Sequence, residues 1–184
     1  METLKSYQID LKNLSLSTTY NFDYLLDNAF FERIDGPEVK KGKVNVSLAV
    51  VRVLSTFEMV FRIEGVVVVA CDRCLDDVEI PVKTTNRLVI TFGEMFDEIN
   101  DEHIVISEEE GIIDISWYLY EFIALAIPIK HVHQQGECNE MMAAKLNELC
   151  VDIHLSDEIN GESDDNPRNP DPRWEALRQL KEDN

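Results

Sequence analysis

The central part of the chain alternates apolar and polar residues in the way that is typical of a β-sheet. Residues 57–64 place apolar side chains on one side and mostly polar side chains on the other, which is the period-two pattern of a half-buried strand. Residues 44–54 are rich in β-branched side chains, and residues 66–70 are continuously apolar. Further strand candidates are residues 6–11, 88–92 and 104–106. Consecutive strands with short connections and no helical pattern between them predict an antiparallel meander or an open barrel.

Helical periodicity is found on both sides of this predicted sheet. Residues 21–31 repeat apolar side chains at helical spacing, which predicts a short amphipathic helix. A second helix is predicted to begin at Asp114, whose side chain can cap it, and to end before Pro128. A third helix is predicted over about residues 139–150. Together the elements predict an α+β fold, in which an antiparallel sheet or open barrel packs against a few helices.

The last part of the chain differs in composition from the rest. Residues 157–170 are polar, acidic and nearly devoid of core-forming side chains, which predicts a flexible linker. Residues 171–184 open with an Asp-Pro pair typical of a helix start and continue with an apolar stripe that includes Trp174. We therefore predict one globular domain at residues 1–156, then the linker and a C-terminal amphipathic helix. Trp174 is expected to contact the body of the protein or a partner.

The charge balance limits the kinds of partner. The chain has 184 residues, of which 36 are acidic and 17 are Lys or Arg, so its formal net charge is −19. Nucleic-acid binding normally depends on Lys and Arg side chains that neutralise phosphates, so this composition favours a protein partner over bare RNA. A basic partner, such as a ribosomal protein, would be attracted at long range.

Acidic residues are concentrated between Glu94 and Asp114, a segment that contains no Lys or Arg and has Glu108, Glu109 and Glu110 at its centre. Carboxylates that catalyse acid–base chemistry need contrasting environments, and a solvated charge run provides none. The segment is better interpreted as a solvated face or as a binding site for a basic partner.

The chain shows no targeting or membrane signal. No stretch approaches the roughly 18 apolar residues of a membrane-spanning helix, and the N-terminus has no basic start leading into an apolar run. We therefore expect a cytoplasmic protein with no membrane partner. Disulfides rarely persist in the cytoplasm, so the four cysteines are interpreted as thiols or metal ligands.

A Cys-x-x-Cys motif at Cys71 and Cys74 is the sharpest local feature of the sequence. Two thiolates separated by two residues can bind one metal ion, because a tight turn brings both sulfurs to one tetrahedral centre. The motif supplies half of a structural zinc site, and a later cluster offers candidates for the other half: His131, His133 and Cys138.

We predict one structural zinc ion bound by Cys71, Cys74, His133 and Cys138, since sulfur and imidazole ligands suit zinc. The alternative is a pair of small buried thiols at a strand end, with the histidines on the surface. A thioredoxin-like redox role is less well supported, because that chemistry places the motif at the N-terminus of a helix.

Arg73 lies between the two cysteines, where a turn would direct its side chain outward. Its planar guanidinium group suits phosphate or carboxylate equally, which makes it a candidate partner-binding residue. The alternative is a local ion pair with Asp72, Asp76 or Asp77. The sequence contains no phosphate-binding loop, dinucleotide fingerprint, nucleophile elbow or HExxH motif, so we predict that the protein is not an enzyme.

Four features in a fixed order resemble the YceD-like large ribosomal RNA accumulation family. Residues 71–75 are similar to its C-x-R-C-L signature at the end of an apolar strand. Residues 113–115 and then 121–128 resemble its I-D-L and E-x-I-x-L-x-x-P helix. Residues 133–138 are similar to a His-to-Cys spacing after that proline, and residues 169–177 resemble its D-P-R-x-x-x-L ending. Some members carry more cysteines downstream of the helix than this chain does.

The resemblance implies a bacterial protein, with plastid relatives, that is needed for accumulation of large-subunit ribosomal RNA, and it implies no enzymatic activity. Our first hypothesis is a non-enzymatic accessory factor for the accumulation, processing or stability of this RNA and for ribosome assembly. An acidic binding module or escort for a basic ribosomal protein is the alternative, and a thiol- or metal-dependent enzyme is a third. The expected partner is ribosomal RNA, a pre-large-subunit particle or a basic ribosomal protein. Candidate partner-binding residues are Arg73, Glu108, Glu109, Glu110 and Trp174.

Overall fold

β-Strands are the main regular elements of the described chain, which comprises residues 4–149 of a computed structural model. The strands of these residues are β1 (Gln8–Asp10), β2 (Thr19–Leu26), β3 (Lys41–Val53), β4 (Thr56–Ala70), β5 (Asp77–Gly93), β6 (Asp97–Asn100), β7 (His103–Ser107) and β8 (Ile112–Asp114). The helices are α1 (Asn28–Ile34), α2 (Ser116–Leu125) and α3 (Glu140–Leu149), and a 3-10 turn covers Leu4–Tyr7.

Several predicted features lie outside the described residues. These are the linker at residues 157–170, the C-terminal helix at residues 171–184 with Trp174, and the last residues of the predicted domain. The described residues belong to one compact unit, Met1–Cys150. No helix in this part of the chain is long and apolar enough to cross a membrane.

Six strands form one sheet in the order β2-β3-β4-β5-β7-β6, and β1 pairs with β8 in a separate two-stranded ladder. All neighbours are antiparallel except β5 and β7, which run parallel because β7 inserts between β5 and β6. Within residues 4–149 the sheet stays open and forms no closed barrel. The predicted α+β fold, with a mostly antiparallel sheet packed against helices, is confirmed.

The alternation in β4 determines which face of the sheet is buried. Phe57, Met59, Phe61 and Ile63 are at most 1% exposed and contribute to the hydrophobic core, as the period-two pattern predicts. Helix α2 covers this face, and the rings of Phe61 and Phe122 lie with centroids 5.2 Å apart. The predicted packing of the sheet against the helix after residue 114 is therefore observed.

The prediction of a helix over residues 21–31 was wrong for its first half. Strand β2 extends to Leu26 and pairs with β3 along its whole length, and only then does α1 begin. Asp27 starts that helix by accepting a hydrogen bond from the backbone N–H of Phe30. The aromatic residues of this segment satisfy a strand period as well as a helical one, and pairing with β3 selects the strand.

The predicted start of α2 shifts by two residues. The helix begins at Ser116, and Asp114 belongs to β8, where it is opposite Gln8 of β1. The Asp114 carboxylate still accepts a hydrogen bond from the Ser116 N–H at 2.9 Å, so it supports the helix start from the strand. Helix α3 starts at Glu140, close to its predicted position.

Candidate metal centre

The loop that joins β4 to β5, residues 71–76, carries the Cys-x-x-Cys motif. Cys71 N–H donates to the Asp76 carbonyl at 2.8 Å, and Leu75 N–H donates to the Cys71 carbonyl at 2.9 Å. Leu75 has a φ of 64°, a left-handed conformation that few residues other than glycine adopt. This tight turn brings Cys74 back beside Cys71.

The segment that follows α2 is attached to this loop by a reciprocal contact between Asp72 and His131. Asp72 N–H donates to the His131 carbonyl at 3.0 Å, and His131 N–H donates to the Asp72 carboxylate at 2.8 Å. The His131 ring also contacts Asp72, with Nε2 3.3 Å from Oδ1, and its Nδ1 lies 3.2 Å from the Pro128 carbonyl oxygen. Both ring nitrogens of His131 are thus engaged away from the cysteines.

His133 is the histidine that the sequence analysis includes among the four predicted ligands, and it lies beside the cysteines. Its Nε2 lies 3.1 Å from the Asp77 carbonyl oxygen, and a carbonyl can only accept, so this nitrogen carries the proton. In the neutral ring Nδ1 therefore presents a lone pair, and it lies 3.4 Å from Cys74 Sγ. A backbone carbonyl that fixes the ring of a histidine in this way is the usual second partner of a metal-ligating imidazole.

The four predicted ligands converge in the structure. The Sγ atoms of Cys71, Cys74 and Cys138 and a ring nitrogen of His133 all lie within 4.8 Å of one another. Zinc–sulfur bonds of about 2.3 Å in a tetrahedron place two sulfurs about 3.8 Å apart, so the longest separation has to shorten by no more than about 1 Å. Three sulfurs and one imidazole nitrogen in this geometry are close enough to bind one metal ion.

Burial separates the two halves of this cluster. Cys71 is 0% and Cys74 is 3% exposed, whereas His133 and Cys138 are half-buried. The Asn139 side-chain amide donates to the Asp76 carboxylate at 3.1 Å, and this contact anchors the start of α3 to the hairpin loop. The cluster therefore joins the strand hairpin to the segment between α2 and α3.

The surroundings of the cluster shift the pKa values of its groups. Burial alone raises the pKa of the Cys71 thiol, but hydrogen bonds from backbone N–H groups and from His133 outweigh this effect. The net result lowers the pKa of Cys71 from 9.0 to about 6. The same contact with Cys71 raises the pKa of His133. The pKa of Cys138 is raised, mainly by burial and to a smaller extent by its contacts with Cys71 and Cys74.

We expect the thiol of Cys71 to titrate near pH 6 in reduced, metal-free protein. The folded-state pKa lies below the ordinary value of 9.0, so the thiolate stabilises the metal-free fold fully above pH 9. That contribution decreases as the pH falls and is lost below about pH 6. The difference in ultraviolet thiolate absorbance between the protein and a Cys71→Ser variant, followed against pH, measures this midpoint. A midpoint near pH 9 would contradict the geometry described for the loop.

Arg73 is exposed beside the cluster, and the three aspartates that could have paired with it are engaged elsewhere. Asp72 contacts His131, Asp76 accepts from Asn139, and Asp77 forms an ion pair with Lys41 at 3.1 Å. Within residues 4–149 the side chain of Arg73 forms no ion pair. Its guanidinium group is thus available to a partner.

The other predicted partner-binding residues lie far along the chain from this loop. Glu108, Glu109 and Glu110 form an exposed turn between β7 and β8. Glu108 N–H donates to the Gly93 carbonyl, and the Lys12 ammonium group donates to the Glu109 carbonyl, so backbone contacts hold the turn in place. Trp174 lies outside the described residues.

Sequence reasoning missed the structural role of Asp72 and His131, because their contact joins segments distant in the chain. The only local signal was an acidic residue inside the Cys-x-x-Cys motif and a histidine shortly before the predicted ligand.

Comparison with known proteins assigns the chain to a family. A search of the curated proteins and a search of the solved structures each find no match. The family model described as "Large ribosomal RNA subunit accumulation protein YceD" matches residues 59–181. The match covers most of the chain, including most of β4, all of β5 and α2, and all four residues of the cluster. This chain therefore belongs to the YceD family, which is named for large ribosomal RNA subunit accumulation.

Proposed function

We propose that this protein acts in the cytoplasm as a non-enzymatic accessory factor for the accumulation, processing or stability of large-subunit ribosomal RNA. The observation that carries the proposal is the family match over residues 59–181. The matched segment contains most of the β4–β5 hairpin, α2 and the four residues of the Cys/His cluster, which supports a role for this part of the fold in the proposed function.

A structural zinc ion is the group that best suits the cluster. Three thiolates and one imidazole are zinc ligands, and four protein ligands leave no coordination position for a substrate. Cys71, Cys74, His133 and Cys138 would hold the ion, and the ion would fix the hairpin loop against the segment before α3. Such a site stabilises a binding surface and supplies no chemistry of its own.

A thiol-dependent enzyme is a weaker alternative on the same residues. A cysteine whose pKa is lowered to about 6 has the thiolate character of a nucleophile. A nucleophile also has to meet its substrate, and Cys71 is 0% exposed. A metal ligand benefits both from the low pKa of Cys71 and from its burial. A catalytic nucleophile benefits from the low pKa, but burial keeps it from its substrate.

The exposed surfaces support contact with a partner as the mode of action. Arg73 is exposed beside the cluster and forms no ion pair with another described residue, and its guanidinium group suits phosphate or carboxylate. Glu108, Glu109 and Glu110 offer an acidic turn on a protein of net charge −19. The acidic turn favours a second candidate function, in which the protein binds or escorts a basic ribosomal protein.

We expect part of the cellular protein to co-sediment with pre-large-subunit particles in a lysate gradient. Crosslinking before lysis, followed by identification of the attached RNA or protein, determines which kind of molecule is contacted.

If Arg73 contacts phosphate, Arg73→Ala weakens particle binding and lowers the salt dependence of that binding by roughly one phosphate contact. Neutralising Glu108, Glu109 and Glu110 as glutamines should weaken binding of a basic ribosomal protein without weakening RNA binding.

Arg33→Ala is the matched control for Arg73→Ala, since Arg33 is an exposed arginine on α1 outside the matched segment. A protein that remains entirely with free proteins at the top of the gradient, even after crosslinking, would refute action through particle contacts.

A further inference from the structure

An apolar groove lies between α2 and β6, the strand at the edge of the six-stranded sheet. It has a volume of about 660 Å³. Ile104, Tyr120 and Phe122 line it and are at most 8% exposed. Trp117 and Leu125 line it as well and are 47% and 81% exposed. Large apolar side chains at this level of exposure are typical of a surface that binds another molecule.

The charge on this groove has a single sign. Glu38, Glu98, Asp101 and Glu121 line it, and no Lys, Arg or His among residues 4–149 does. Burial raises the pKa of the Tyr118 phenol, and the carboxylates of Glu98 and Glu121 raise it further. The groove thus combines an apolar floor with a negative potential, which repels phosphate and attracts ammonium and guanidinium groups.

Trp117 is held in a fixed orientation on the wall of the groove. Its indole Nε1–H donates to the Glu121 carboxylate at 2.7 Å, and the centroids of the Trp117 and Tyr120 rings are 5.5 Å apart. An aromatic face next to carboxylates can bind a cation by cation–π attraction together with an ion pair. Arginine suits both contacts, because its planar group stacks on a ring while donating hydrogen bonds.

The groove continues towards the acidic turn at the end of β7. A second concavity of about 260 Å³ shares Ile104 and Tyr118 with it. This extension is lined by Glu110 and Asp114 and by Phe96, which is 60% exposed. No Lys, Arg or His of the part of the chain that the structure describes lines it. Two adjoining concavities with the same character suit an extended chain better than a compact small molecule.

We propose that this groove binds an extended segment of a partner protein that is rich in arginine and lysine and contains apolar residues. The inference rests on the proposed function, because it names the class of partner through which that function would operate. RNA does not suit the groove, since its phosphates would meet only carboxylates.

The test uses the full-length protein and a short labelled peptide that alternates arginine and leucine. The chain has two tryptophans, so Trp174→Phe leaves Trp117 as the only tryptophan reporter. We expect the peptide to change the Trp117 fluorescence, and a version with glutamate in place of arginine to have no effect.

Fluorescence anisotropy of the labelled peptide should show that the double variant Glu98→Gln with Glu121→Gln binds it roughly tenfold more weakly. Trp117→Ala should weaken it about fivefold.

Glu137→Gln with Glu148→Gln is the matched control, since both residues are exposed, lie outside the groove lining and give the same change in net charge. This control should bind the peptide like the parent protein. Equal weakening by both double variants, or a Trp117 signal that does not respond to the peptide, would overturn the inference. Competition by single-stranded RNA for the Trp117 signal would also overturn it. These peptide-binding measurements use purified protein, so their outcome does not depend on whether the protein co-sediments with particles. Absence of co-sedimentation would refute the proposed function, whereas absence of peptide binding would refute only the groove proposal.

Discussion

Replacing Cys74 with serine is expected to abolish the binding of about one equivalent of zinc per chain and to destabilise the fold. The hydroxyl of serine is a far poorer zinc ligand than a thiolate, and three remaining ligands leave the ion open to water. A ligand that binds only the folded state stabilises it by roughly 4 kcal/mol when its free concentration is a thousand times its dissociation constant. Elemental analysis of protein purified without chelator measures the zinc, and urea unfolding with and without zinc measures the stability.

The two histidines provide the sharpest control for this experiment. His133→Gln should lose zinc as Cys74→Ser does, because Nδ1 of His133 faces the cysteines. His131→Gln should retain it, because the ring of His131 contacts Asp72 and the Pro128 carbonyl instead. If His133→Gln retained zinc, His133 would not be a ligand of the ion. If the parent protein contained well below half an equivalent of zinc, the cluster would be a set of thiols and not a metal site.

Local patterns in the sequence predicted the parts of the fold that local physics determines. Alternation in β4 identified its buried face, because each side chain in a strand points opposite to its neighbour. The Cys-x-x-Cys spacing likewise predicted a turn that brings two sulfurs together, and the structure places Cys71 and Cys74 in such a turn. In both cases the determining contacts lie within a few residues along the chain.

The incorrect or missing predictions concern contacts between distant segments. Phe22, Leu25 and Leu26 fit a helical period, yet β2 is a strand because β3 pairs with it. Strand β7 lies between β5 and β6 in the sheet, and no pattern within any one of these strands predicts that order. The position of His131, whose ring is turned away from the cysteines, depends on its contact with Asp72, 59 positions away in the chain. The acidic groove is lined by residues of α2, of β6 and of the segment before β3, which no local pattern brings together.

Loss of the gene is expected to lower the amount of large-subunit ribosomal RNA relative to small-subunit ribosomal RNA in the cell. The chain belongs to a family named for accumulation of this RNA, and a factor that acts through contacts on particles protects RNA only while it is bound. A gene for the parent protein should restore the ratio. The His131→Gln protein should also restore it, whereas the Cys74→Ser protein should restore it poorly because its binding surface is no longer fixed.

The measurement that tests the central claim most directly is this RNA ratio in cells that lack the gene, with and without the restored parent protein. We predict a fall in the ratio that the parent protein reverses. An unchanged ratio in growing cells that lack the gene would contradict a role in the accumulation of large-subunit ribosomal RNA.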